Sequence, residues 1–203
     1  MSVTRIALIS GSHRPQGAST RLATELQQLA HEHIEGCETE MVPIDDLPFW
    51  DESLWGDPAA APHWDGWRAT AQRLRNVDGL IVVAPEYAGM VPPRLVNFLL
   101  LCSGEEVGHK PALAVGVSAT RGGTYPIAQL RASSTKNNHM CWLPDHLILR
   151  EARAVDTPDA LTGTGYVARY AKYCIKLLGA YAKSLKEVRC AGIIDHGSFP
   201  YGM

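Results

Sequence analysis

The residues best equipped for chemistry lie together near the start of the chain, in Gly11-Ser12-His13-Arg14-Pro15-Gln16-Gly17-Ala18-Ser19-Thr20. This stretch follows the apolar run Ile6-Ala7-Leu8-Ile9 and leads into an amphipathic segment over residues 21–31. A strand feeding a loop of small hydroxyl residues, and then a helix, suits a phosphate. Backbone N–H groups at a helix start point outward, and the helix dipole favours negative charge there. Ser12, Ser19 and Thr20 add hydroxyl donors, and Arg14 adds a planar charged fork. An ordinary turn capped by a serine or threonine has a similar composition, so the neighbouring loops must decide. Two common nucleotide fingerprints do not match, so ATP or GTP hydrolysis and an ordinary Rossmann NAD site lose ground. A Walker A loop needs Gly-Lys-Ser/Thr, and no lysine lies between Ser2 and Leu101. A dinucleotide loop reads G-x-G-x-x-G, whereas Gly11 is followed by Ser12, His13 and Arg14. A monophosphate held by hydroxyls and one arginine remains.

Two further loops share this character. Ala84-Pro85-Glu86-Tyr87-Ala88-Gly89-Met90-Val91-Pro92-Pro93 follows the apolar run 80–84. Pro85 ends a strand, Gly89 allows unusual backbone angles, and Pro93 suits a helix start. Such a loop offers successive N–H and C=O groups beside Tyr87, able to read the edge of a flat heteroaromatic ring. Ser118-Ala119-Thr120-Arg121-Gly122-Gly123-Thr124 follows the run 113–117, and its paired glycines let backbone approach a ligand closely.

These loops need a frame that brings them together. Apolar runs at 6–9, 41–44, 80–84, 113–117 and 143–149 alternate with helical patterns at 20–33, 64–75, 93–103, 125–134 and 161–186. Alternation of this kind predicts a doubly wound parallel α/β sheet with helices on both faces, and the simplest order is 2-1-3-4-5. Ligands then sit beyond the carboxyl ends of the strands, where all three loops fall. With 203 residues, the chain is expected to form one domain over 1–203, with residues 191–203 as a surface or interface tail. Residues 45–65 form a long irregular connection near Trp50, Trp55, Trp64 and Trp67. Those rings could wall a pocket, meet a second subunit or simply pin the loop.

The three loops, taken in order, resemble the NADPH-dependent FMN reductase family, whose flavodoxin-like members include azo-dye, quinone and chromate reductases. The likeness runs over about residues 4–131. Gly11-Ser12-His13-Arg14 and Ser19-Thr20 match the family's G-S-x-R…S-x-T/N loop. Pro85-Glu86-Tyr87-Ala88 and Pro92-Pro93-Arg94-Leu95-Val96-Asn97 match its P-E-Y-N…P-x-x-L-K-N signature, and Ser118 with Gly122-Gly123 matches its third loop. Two positions depart: Ala88 replaces an asparagine, and Leu100 stands where an aspartate is usual. The resemblance implies bound FMN with NADPH or NADH as co-substrate, and hydride passing through flavin N5 to a quinone, azo compound, free flavin or metal oxyanion. No side chain then acts as a nucleophile. Ser12, Arg14, Ser19 and Thr20 would hold the phosphate, while Pro85, Glu86, Tyr87, Ala88 and Gly89 would line the ring. Ser118, Gly122 and Gly123 would support its polar edge. Relatives of this kind are dimers or tetramers, so a homodimer or homotetramer is expected.

Other classes fare worse. A net charge of −2 without a basic patch argues against nucleic acid, and no apolar run approaches a membrane span. Five cysteines without C-x-x-C spacing, and no signal-peptide pattern, suggest a cytoplasmic protein. None of the eight histidines has metal-ligand spacing, so no metal is expected. No G-x-S-x-G elbow supports a serine hydrolase. A flavodoxin-type electron carrier is the alternative reading, although such carriers usually present a strong one-sign field. A flavin-binding protein without turnover is the third.

Overall fold

The computed structural model describes residues 3–14, 17–152, 161 and 163–201. Its strands are β1 (Thr4–Ser10), β2 (Cys37–Met41), β3 (Gly79–Pro85), β4 (Pro111–Val117), β5 (Cys141–Trp142) and β6 (Leu147–Leu149). Its helices are α1 (Ala18–His33), α2 (Asp65–Arg75), α3 (Pro93–Leu101), α4 (Gly104–Val107), α5 (Thr124–Ser133) and α6 (Tyr166–Cys190). The strands pair in parallel in the order β2-β1-β3-β4-β5, with β6 also on β4, which is the expected doubly wound arrangement.

Side-chain alternation along the central strands builds two cores. On β3, Leu80, Val82 and Ala84 face Trp67, Leu74 and Phe98 of α2 and α3. Ile81 and Val83 face the other layer, with Leu22, Leu26 and Leu29 of α1 and Ile175 and Leu178 of α6. A strand buried on both faces reads as a continuous apolar run, which is why β1, β3 and β4 are conspicuous in sequence.

Three local differences from the sequence reading have physical causes. The second strand covers Cys37–Met41 instead of 41–44. It lies at the sheet edge, and its three central residues, Glu38, Thr39 and Glu40, are polar. The run 41–44 is instead where the chain dives into the core, with Val42 and Ile44 each 3% exposed. The fifth strand is split. β5 pairs with Pro111–Ala112 and β6 with Val115–Val117, and Pro144 between them has no N–H for the ladder. The Arg131 guanidinium takes the carbonyls of Leu143 (2.7 Å) and Pro144 instead. Finally, α6 starts at Tyr166 rather than 161, after Gly163 and Gly165, and α4 is an extra turn opened by a Ser103–Glu106 capping box.

Residues 45–65 carry three short 3-10 turns. Trp64 and Trp67 belong to the core, while Trp55 is exposed and meets Trp50 edge-on at 5.2 Å. Buried Asn97 fastens this segment: its Oδ1 accepts Trp50 N–H and its Nδ2 donates to the Pro48 carbonyl, each at 2.9 Å. No described helix is long and apolar enough to cross a membrane.

Candidate active site

Strand register gathers the three loops. Ser10 lies opposite Val83 and Pro85 opposite Val117, so β1, β3 and β4 end side by side. Each exit is held by the next strand: Gly11 N–H donates to the Val83 carbonyl and Glu86 N–H to that of Val117, both at 2.8 Å. The close approach of α3 favours glycine at position 11, since a Cβ there would stand 2.8 Å from Leu95 Cδ2 and 3.2 Å from the Val83 carbonyl oxygen.

A depression of about 160 Å³ lies at this junction. Ser12, Arg14 and Ser19 line it from the first loop, and Pro85, Glu86 and Tyr87 from the second. Ala119, part of the third loop but not assigned to the site from sequence, and Ala152, outside all three loops, also line it. Ser12 Oγ accepts the Arg14 N–H at 3.1 Å and lies 3.4 Å from Tyr87 Oη. The Arg14 guanidinium carbon stands 5.9 Å from the Tyr87 ring centre, and among the described residues no carboxylate pairs with it. Gly17, the N-cap of α1, supplies no side-chain cap. A free cation, hydroxyls and the start of a 16-residue helix therefore converge on one anion-sized place.

Thr20 lies on the other side of the loop, in a second depression with Ser10, Ser12 and Arg14. Ser10 Oγ is buried there without a hydrogen-bond partner among the described residues. The sequence reading missed it, because Ser10 reads as the last residue of a strand.

In the second loop, Tyr87 and Met90 exchange two backbone hydrogen bonds at 3.0 Å around Ala88 (φ 50°) and Gly89 (φ 77°). Two successive positive φ values make this a type I′ turn, for which Asn-Gly is the favoured pair. In the third, Ser118 is buried and its Oγ accepts Thr120 N–H at 3.3 Å, so it shapes its own loop. Gly123, at φ 99°, caps α5 and donates its N–H to Glu86 Oε2. The Glu86 carboxylate thereby joins the second loop to the third.

The fold and these loops define a flavin-type site at the carboxyl edge of a doubly wound sheet. The chain belongs to the NADPH-dependent FMN reductase family, whose sequence profile matches residues 4–154. It is 33% identical over 125 residues to a 2-hydroxy-1,4-benzoquinone reductase of a Burkholderia species, covering 59% of this chain and 63% of that protein. It is 29% identical over 109 residues to a quinone reductase of Pseudomonas putida, covering 54% and 52%. The matches thus span about half to two thirds of these relatives. Among solved structures it is similar to the flavoenzyme NAD(P)H:(acceptor) oxidoreductase of Paracoccus denitrificans, with a TM-score of 0.69 at 23% identity over 91% of this chain and 98% of that one.

The site suits FMN. The Ser12 and Ser19 hydroxyls, an arginine with no carboxylate partner among the described residues and a helix start without a side-chain cap are what a terminal phosphate requires, and the Ser10 hydroxyl, unpartnered among the described residues, lies in the adjoining depression. The depression is smaller than the ~300 Å³ lower end of small-molecule pockets. It would enclose the phosphate end and leave the ring on the open surface beside Tyr87.

Proposed function

We propose that this protein is an FMN-dependent NAD(P)H oxidoreductase that reduces a small quinone or a similar flat acceptor. The observation that supports this most is the convergence of Ser12, Arg14 and Ser19 with Pro85, Glu86 and Tyr87 on one depression, in a chain of the FMN reductase family. When bound, the flavin supplies two-electron transfer between a nicotinamide and an acceptor; position and field come from the protein.

Arg14, Ser12 and Ser19 bind the phosphate in this reading, whereas Thr20 faces the adjoining depression across the loop. Pro85 and the Tyr87-Ala88-Gly89 turn present backbone groups to the ring edge. Glu86 would hold Gly122 and Gly123 where they could support the polar edge of the ring, and Ser118 fixes the bend of that loop. No side chain is required to move a proton to or from the substrate. The open surface beside Tyr87 admits nicotinamide and acceptor in turn. Sequential use of one surface predicts ping-pong kinetics.

We further propose that residues 1–203 act as one FMN-binding domain in the cytoplasm and assemble as a homodimer or homotetramer. Exposed Met90 (57%), Val96 (41%) and Leu100 (58%), close to the site along α3 and its approach, support self-association. FMN-loaded protein should oxidise NADPH in the presence of 1,4-benzoquinone with parallel double-reciprocal plots. Loaded protein that leaves NADPH untouched with both quinone and azo-dye acceptors would overturn the reading.

A further inference from the structure

Three histidines far apart in sequence meet at the opposite end of the sheet. His109 precedes β4, and His139 precedes β5. Both adopt left-handed backbone, at φ 53° and 55°. Non-glycine residues are uncommon in that region, and such outliers cluster where function demands them. His109 N–H donates to the His139 carbonyl at 2.9 Å, which sets their rings 5.7 Å apart.

The third ring arrives from the C-terminal segment. Asp195 Oδ1 accepts Ser198 N–H at 2.8 Å and its carbonyl accepts Phe199 N–H at 3.0 Å, forming a turn that carries His196. The His196 ring lies 4.4 Å from that of His139 and stacks on His109 at 5.7 Å. It rests flush on Gly104, where a Cβ would meet its Nε2 at 2.8 Å. One ring nitrogen from each histidine lies within 4.8 Å of the other two.

We propose that His109, His139 and His196 form a binding site for a divalent transition-metal ion, Zn²⁺ above all, that fastens the C-terminal segment to the sheet. Three imidazoles suit Zn²⁺, Cu²⁺ or Ni²⁺, whereas Mg²⁺ and Ca²⁺ take oxygen ligands. Among the described residues no carboxylate forms an ion pair with any of the three rings, so no salt bridge holds them in the protonated form that cannot ligate. His139 Nε2 lies 3.2 Å from the Pro200 carbonyl, which can only accept. That contact fixes the proton on Nε2 and frees Nδ1, the outer-shell arrangement that metal-binding histidines use. The nearby Arg189 guanidinium, which donates to the His109 carbonyl at 3.1 Å, is paired with Asp78 at 3.2 Å.

Zinc–nitrogen bonds of 2.0–2.1 Å place tetrahedral ligands about 3.4 Å apart, so the nitrogens must close by on the order of 1 Å. His196, on a terminal turn, is the partner free to make that move. The fourth position is left to water. β4 separates this cluster from the Glu86–Gly123 loops by about 20 Å, so the ion would sit clear of the flavin.

Calorimetric titration of Zn²⁺ into chelator-treated, FMN-loaded protein tests the proposal. One ion per chain is expected, with His196→Asn and His109→Asn each weakening binding by more than about 100-fold, beyond outer-shell losses. Hydrogen exchange should show residues 191–201 protected by Zn²⁺ in the parent protein and unaffected in His196→Asn, with flavin content unchanged. All five cysteines and the other histidines remain in that variant, so equal Zn²⁺ affinity in it would place the ion elsewhere and overturn the proposal. A parent protein that takes up no Zn²⁺ would do the same.

Discussion

The Glu86 carboxylate accepts the backbone N–H of Gly123, and its Oε1 lies 2.7 Å from where a Cβ on Gly122 would stand. This contact spans the two loops that follow β3 and β4. It also sets a negative charge at the start of α5, where the helix dipole favours one. Gly122 is thus kept small by the neighbouring carboxylate, and Gly123 by its φ of 99° and by Ile148 Cγ2, 2.7 Å from where its Cβ would stand.

Breaking that contact should loosen both loops. A charge-assisted hydrogen bond is worth about 1.5–3 kcal/mol. Glu86→Ala should lower unfolding free energy by that order and weaken FMN binding, while Glu86→Gln, which keeps an acceptor, should lose less. Urea titration and FMN fluorescence titration check this. Equal behaviour of Ala and Gln variants to the parent would show that the loops hold without Glu86.

Arg14 acts on the phosphate alone in this account. Arg14→Ala should weaken FMN binding roughly ten- to hundred-fold, the equivalent of about 1.5–3 kcal/mol. Riboflavin, which lacks the phosphate, should bind both forms alike. A matching loss for riboflavin would mean that Arg14 supports the ring or the fold.

Ala88 occupies the first central position of the type I′ turn at φ 50°. A left-handed residue with a Cβ costs about 1–2 kcal/mol, and asparagine or glycine relieves part of it. Ala88→Asn and Ala88→Gly should therefore each stabilise the protein by about 1 kcal/mol. For a chain of this length that raises Tm by roughly 2–4 °C. Scanning calorimetry decides, and a fall in Tm for both variants would contradict the turn assignment.

Thiol chemistry should be uneven. Burial, with a contribution from Glu38 at Cys37, pushes Cys37 and Cys174 up to about 11, and burial lifts Cys102 as well. At pH 8 the thiolate of Cys37 or Cys174 is then on the order of one part in a thousand. Exposed Cys190 should label first with a disulfide reagent, and Cys190→Ser should remove the fast phase. Labelling of half-buried Cys37 should accelerate as pH approaches 11; rapid labelling at pH 7 would contradict its raised pKa.

The central strands and the three loops were legible because burial on both faces writes unbroken apolar runs, and because each loop is continuous in sequence. The edge strand Cys37–Met41 was not, since its centre is polar and partly exposed and the stronger apolar signal belongs to the chain beyond it. Splitting of the fifth strand depends on Arg131, a residue of another element. Ser10 reads as strand, and only tertiary packing leaves its hydroxyl unpartnered beside the loop. The His109, His139 and His196 cluster is invisible to ligand spacing, because three separate segments deliver one ring each.

The central claim is that this site binds FMN and passes electrons to it from a nicotinamide. The most direct test is the absorption spectrum of purified, FMN-supplemented protein under anaerobic conditions, before and after stoichiometric NADPH and then NADH. The account predicts a tightly held flavin that runs as FMN on extraction. Its visible band should bleach with one of the two nicotinamides and return on adding a quinone. Protein that holds no FMN, or whose flavin band survives both NADPH and NADH, would contradict it.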